Sequence, residues 1–175
     1  MKIKIILLFL AAIFTIIPTC SAATWTHHKK IKVYIPQDDP KTKTAKNAFA
    51  EWSRKTNNAF VFYYVPYKKQ SHIDIQFVDK PKDCNDTRAM ACTKYTFSGN
   101  RLIHATIIMA KLSNDKVPHK FSRDEYYTAF LHEIGHAIGL EHTDNKLSIM
   151  YPYNDDNQEI QQSDINTLKK MYKMK

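Results

Sequence analysis

Residues 132–142 read His-Glu-Ile-Gly-His-Ala-Ile-Gly-Leu-Glu-His, and no other segment constrains the fold of this chain as strongly. His132 and His136 stand four residues apart, so on a helix they share one face with about 6 Å between their Cβ atoms and can hold one metal ion together. A hydrolytic zinc site takes three protein ligands at about 2.0 Å and keeps a fourth position open to water, which makes His142 the third candidate. A helix that simply continued would carry His142 about 600° past His136, onto the wrong side. The helix must therefore end between them, and Gly139 stands where a residue with positive φ can turn the chain back. Glu133, beside the first ligand, can reach the open side of the site and serve as general base. Five such residues at fixed spacing would arise from this chain's own composition with a frequency of roughly 10⁻⁵, which sets aside the reading of incidental histidines.

Around this motif the patterns describe one α+β domain over residues 24–175, with no repeat or Gly/Ser linker. Ile31, Val33 and Ile35 alternate with polar neighbours as a half-buried strand does. Ala59–Val65 and Ile73–Val78 are rich in β-branched and aromatic residues and predict two further strands. Thr93–Phe97 and Leu102–Met109 flank Ser98, Gly99 and Asn100, the pattern of a hairpin, so five strands are expected. Asp39 is expected to cap a helix with Pro40 at its first position and Ala45, Ala48, Phe49 and Trp52 on its apolar face. Ser122 and Glu125 match a capping box, and Phe121 and Tyr126 a hydrophobic staple, at the start of the helix that carries the motif. Ser163 is expected to cap a last helix with Ile165, Leu168 and Tyr172 on one face.

Lys2 and Lys4 precede an apolar stretch from Ile5 to Ile17, then Pro18 and small residues, the pattern of a secretory signal peptide over residues 1–23 cut after Ala23. About 13 apolar residues fall short of the ~20 that span a bilayer, so no stable membrane span is expected. Secretion is the expected localisation. Periplasmic retention or a lipid anchor on Cys20 is the rival, disfavoured by Pro18 and Thr19 ahead of that cysteine. In an oxidising compartment the two remaining thiols, Cys84 and Cys92, form the natural disulfide pair, with two free thiols or a partner ligand as the alternatives. The chain is basic, with 26 Lys and Arg against 17 Asp and Glu and a formal charge of +9. Its lysine clusters read as solvated faces, and no nucleic-acid partner is expected from charge alone.

The extended motif is that of the metzincins, and Ser148, Ile149, Met150, Tyr151 and Pro152 resemble their Met-turn. The spacing of Met150 from His142, Thr143 directly after that histidine, and the Met-Tyr-Pro run are similar to the matrixins. So are Trp25 with the first strand, Ala50-Glu51-Trp52-Ser53, Asp74-Ile75, and Asp164-Ile165 with Met171-Tyr172. The resemblance implies a zincin-like fold: a twisted five-stranded mixed sheet, an active-site helix and a C-terminal helix. It implies one catalytic zinc, Met150 as a hydrophobic floor and not a ligand, and a substrate lying antiparallel to an edge strand, here Thr93–Phe97. Protein or peptide substrates follow from it as well; an inhibitor protein is a candidate partner and a monomer the expected state, neither fixed by the sequence. Calcium sites of the family could draw on Asp79, Asp83, Asp86, Asp155 or Asp156, but no ligand rhythm assigns one.

The chain departs from the family pattern in several places. No cysteine-switch motif precedes Thr24, so latency through an attached prodomain is not expected. The histidine and aspartate set of a structural zinc is missing; His72 and Asp74 mimic part of it on the wrong strand. His104 reads as a strand histidine, and His27, His28 and His119 as exposed. Asn154 stands where the family has a tyrosine, with Tyr153 one residue earlier, so cleavage preference does not carry over. The sequence thus points to a secreted zinc metalloendopeptidase with Glu133 as general base. The alternative is a non-catalytic, zinc-stabilised extracellular binding module, which would close the fourth zinc position and need no carboxylate beside it.

Overall fold

β1, Ile31–Tyr34, turns Ile31 and Val33 fully inward while Lys32 stays exposed, the alternation that its sequence predicts. In the computed structural model, which describes residues 23–82, 84, 89–153 and 158–174, this strand lies inside a five-stranded sheet. The expected leader with Cys20, the calcium candidates Asp83, Asp86, Asp155 and Asp156, and Asn154 lie outside the described residues.

The other strands are β2 (Phe62–Tyr64), β3 (Ile73–Val78), β4 (Ala91–Ser98) and β5 (Arg101–Ala110). Their order is β2-β1-β3-β5-β4, with every neighbouring pair parallel except β4 and β5, which form the hairpin expected around Gly99. β4 is therefore an edge strand. The fold is the α+β, mixed-sheet architecture of a metzincin catalytic domain.

β2 is shorter than the predicted Ala59–Val65. Asn57 and Asn58 both take positive φ, 51° and 56°, to reverse the chain after the first helix, and Phe60 is spent as a fully buried plug. Three helices complete the fold: α1 (Thr42–Lys55), α2 (Arg123–Ala137) and α3 (Gln162–Met171). α1 begins two residues later than expected. The Asp39 carboxylate accepts from the Lys41 N–H at 2.9 Å and shapes the turn before the helix, so Lys41 and not Asp39 holds the cap position. α3 likewise starts with Gln161 at its cap, because the Asp164 carboxylate accepts from the Gln161 N–H, and Ser163 falls inside the first turn. α2 starts as predicted, with Ser122 and Glu125 each accepting the other's backbone N–H and the Phe121 and Tyr126 rings 5.6 Å apart.

The helices and the inner face of the sheet share one hydrophobic cluster. Ala45, Phe49 and Trp52 of α1 meet Phe130, Ile134 and Ala137 of α2 over Ile31, Val33, Ile73, Ile75 and Ile107. Two indoles fix α2 in position. Trp52 Nε1 donates to the Leu131 carbonyl at 2.9 Å and Trp25 Nε1 to the Ala137 carbonyl at 2.8 Å, so each buried N–H is satisfied while its ring fills the core. Cys84 and Cys92 are joined by a disulfide that ties the start of β4 to the segment before it. Among the described residues no helix is long and apolar enough to cross a membrane.

Candidate active site

α2 ends where the motif requires. The Gly139 N–H donates to the His136 carbonyl and the Leu140 N–H to the Gly135 carbonyl, the paired bonds of a Schellman turn, with Gly139 at φ +103°. The chain then doubles back and brings His142 beside the two helical histidines. The three Nε2 atoms form a nearly equilateral triangle: 3.1 Å from His136 to His132, and 3.2 Å from His142 to each of them. Nitrogens bonded at about 2.0 Å to one tetrahedral ion stand about 3.3 Å apart, so the donor set fits a zinc-sized cation.

The opposite ring nitrogens decide which atom points inward. His132 Nδ1 donates to the Ile149 carbonyl at 2.6 Å and His136 Nδ1 to the Leu140 carbonyl at 2.8 Å. Each ring is thereby held in the tautomer that directs an Nε2 lone pair at the centre. Burial also keeps these rings neutral, pushing His132 down to about 4 and His136 to about 3. Three converging lone pairs repel one another unless a positive charge lies between them. Among the described residues this is the one cluster able to hold a metal ion.

Glu133 lies in the same turn, almost fully buried, and burial pushes its carboxyl up to about 7. The Thr93 hydroxyl of β4 partly offsets that shift by donating to Glu133 Oε2 at 2.7 Å. The cleft outside these groups holds about 770 Å³. Its walls are Met90, the edge-strand residues Ala91, Cys92, Thr93 and Tyr95, Ala129 of α2, Glu141 before the third histidine, and Pro152 and Tyr153 beyond it.

Met150 lies beneath the helix and is buried. Its Sδ is so close to Gly135 that a Cβ there would stand 2.3 Å from it, which is why the residue before His136 has no side chain. Its turn is pinned from below. Ser148 Oγ donates to Asp164 Oδ1 at 2.7 Å and accepts the Met150 N–H at 2.9 Å, and Asp164 Oδ2 holds the cap of α3. The carbonyl that orients His132 belongs to Ile149, inside this turn, so α3 supports the first histidine through Asp164, Ser148 and Ile149.

Thr93, and the orienting roles of Ser148, Ile149 and Asp164, were not legible as site features in the sequence. A buried acid in a helix of otherwise apolar inward positions was the available signal for Asp164, since such a group must find donors. Thr93 gives no signal beyond its place on a strand.

The remaining candidates lie elsewhere. His72 Nδ1 accepts the Lys32 N–H at 3.0 Å. Asp74 is fully buried on the far face of the sheet, 2.9 Å from Lys68 Nζ and from Thr106 Oγ1 and 3.2 Å from His104 Nε2. His27 and His119 are exposed as expected. His28 is not: it is half-buried against Phe60 and Tyr172, with Nδ1 2.5 Å from the Ala59 carbonyl. Asp79 is exposed and ion-pairs with Lys111.

A strand-edged cleft over three convergent imidazoles and a buried carboxylate defines a metalloprotease type of site. The family model described as Matrixin matches residues 21–173, and the chain belongs to that family. It is 31% identical over 147 residues to a Trichoplusia ni ascovirus 2c protein that carries a provisional matrix metalloproteinase name; the match covers 74% of this chain and 28% of that protein. It is 51% identical over 41 residues to human matrix metalloproteinase-26, covering 22% of this chain and 16% of that one. The matched region is thus a minor part of each relative's length.

Proposed function

We propose that the chain is a secreted zinc endopeptidase in which His132, His136 and His142 hold one zinc ion and Glu133 is the general base. The observation that carries this reading is the 3.1–3.2 Å triangle of Nε2 atoms beside a buried carboxylate on an open cleft. Zinc, when bound, supplies Lewis acidity toward a water and a peptide carbonyl. The protein's own groups do the rest. Thr93 holds Oε2 of Glu133 in place, and Oε1 takes the proton of the reacting water and returns it to the leaving amine nitrogen. Among the described residues β4 has no strand on its outer side, so an extended peptide running antiparallel to it can pair with that edge.

Secretion is supported by the leader pattern before Ala23 and by the Cys84–Cys92 disulfide, which suits an oxidising compartment. The names of the two relatives support the peptidase reading.

The test is Glu133→Gln. Zinc content measured by atomic absorption should stay at one ion per chain while casein cleavage falls by at least about 100-fold. Cleavage equal to the native chain would overturn the assignment of the base. A native chain that binds zinc and cleaves nothing would be the non-catalytic module instead.

A further inference from the structure

A second concavity, of about 720 Å³, lies at the other end of α2. About 11 residues, or roughly 16 Å of helix, separate its Arg123 from the centre of the histidine motif. Lys41, Lys43, Lys111, Lys120 and Arg123 line it, against the single acid Asp79. Leu112 and Phe121 add apolar lining, with Leu112 exposed and Phe121 half-buried.

Internal pairing accounts for two of these five cations. Lys41 is committed to Asp39 at 2.9 Å and lies over the Phe77 and Tyr126 rings, while Lys111 meets Asp79 at 3.3 Å in an exposed pair. Lys43, Lys120 and Arg123 are exposed and have no ion pair among the described residues.

Placement makes this less favourable still. The cavity collects the N-termini of two helices, where the backbone dipole prefers anions, yet α1 has no acid in its first turn and carries Lys43 there, and α2 opens with Arg123. Asp124 and Glu125 of α2 turn away and line a different hollow with Glu51. Cations gathered at two positive helix ends repel one another until an anion joins them.

We propose that this concavity binds a sulfated polysaccharide, its sulfate groups on Lys43, Lys120 and Arg123 and a sugar-ring face on Leu112 and Phe121. Five cations and two apolar side chains share one concavity of about 720 Å³, which suits a chain of spaced anions better than one phosphate ion. The choice of a glycan over a nucleic acid rests on the secreted reading proposed above, which the disulfide supports. The site is separate from the cleft, and its occupant would hold the protein near a matrix without blocking the histidines.

The experiment titrates a heparin-derived octasaccharide into the full chain at about 0.15 M salt, by calorimetry. The variant with Lys43→Gln, Lys120→Gln and Arg123→Gln should bind about tenfold more weakly. A control with Lys169→Gln, Lys170→Gln and Lys173→Gln removes the same charge elsewhere and should lose less than about twofold. Both should keep the native melting temperature and casein cleavage. On the native chain, the amide resonances of Leu112 and Phe121 should shift with the octasaccharide and not with its desulfated form. Equal losses in the two variants, no binding by the native chain, undiminished binding of the desulfated sugar, or equal binding of single-stranded DNA of matched charge would each overturn the proposal.

Discussion

The Thr93 hydroxyl stands 2.7 Å from Glu133 Oε2, so the edge strand that borders the cleft also grips the carboxylate beside the histidines. A carboxylate with one oxygen fixed presents the other in a defined direction. Without the hydroxyl, Oε2 loses its donor from the edge strand.

Thr93→Val keeps the shape and strand propensity of the residue and deletes only the donor. A hydrogen bond to a charged group contributes about 1.5–3 kcal/mol, so kcat on a fluorogenic peptide should fall about tenfold or more with KM little changed. Thr93→Ser restores the hydroxyl and should recover most of the rate. An unchanged kcat in the valine variant, or no recovery with serine, would remove the positioning role.

Gly135→Ala places a methyl 2.3 Å from Met150 Sδ and 3.2 Å from Trp52 Cζ2, where three tightly packed elements meet. Helix propensity favours alanine over glycine by about 1 kcal/mol, but overpacking a filled core costs about 1–3 kcal/mol and should dominate. The urea midpoint should drop, and zinc affinity should drop with it, because Met150 shares its turn with the carbonyl that orients His132. A midpoint equal to or above the native value would show that Met150 can move aside freely.

Asp164→Ala should act on the histidines from a distance. It removes the acceptor for Ser148 Oγ and for the α3 cap together, leaving the buried Ser148 O–H without an acceptor and the Gln161 N–H without a partner. Loss of such supports typically weakens metal binding about 10–100-fold, alongside about 2–4 kcal/mol of stability. Asp164→Glu keeps the charge at the wrong length and should lie between. Zinc affinity measured by competition with a chromophoric chelator decides this, and an unchanged value in the alanine variant would uncouple α3 from the site.

These supports mark the boundary of what the sequence makes legible. Ligand spacing is a local property: His132 and His136 are neighbours on any helix, and the need for a turn at Gly139 follows from helical geometry alone. Capping at Ser122 and alternation in β1 are local as well. Which strand lies beside Glu133, and which carbonyls orient His132, are set by sheet order and by the return of the chain through Met150. Pairing of β3 with β5 and β4 at the edge leave no mark in the periodicity of any one strand. The misjudged ends of α1 and α3 share a cause. In each, an aspartate accepts a backbone N–H two or three residues away and so fixes the start of the helix at a position other than the one a capping preference suggests.

Acid sensitivity of the metal-free protein follows from the same burial that shapes the site. His132 and His136 are held down to about 4 and about 3, whereas imidazoles in an unfolded chain titrate near 6.5. Between about pH 6.5 and pH 4 the unfolded chain binds two protons that the native chain does not. The contribution of these groups is therefore fully present above about pH 6.5 and is lost as pH falls. Glu133 works in the opposite sense. Its carboxyl is raised to about 7 from 4.5, so between those values the native chain holds a proton that the unfolded chain releases. For these three groups alone, two protons against one contribute about 1.4 kcal/mol per pH unit between about pH 6.5 and 4.5, with stability falling toward acid. His72, also lowered by burial, acts in the same sense as the other two histidines. Glu133→Gln removes the opposing proton and should steepen the slope toward twice that value. Urea unfolding of the chelator-treated protein at several pH values in this window measures both slopes. A glutamine variant whose stability is flat or rises as pH falls would contradict the neutral, buried state of the two histidines.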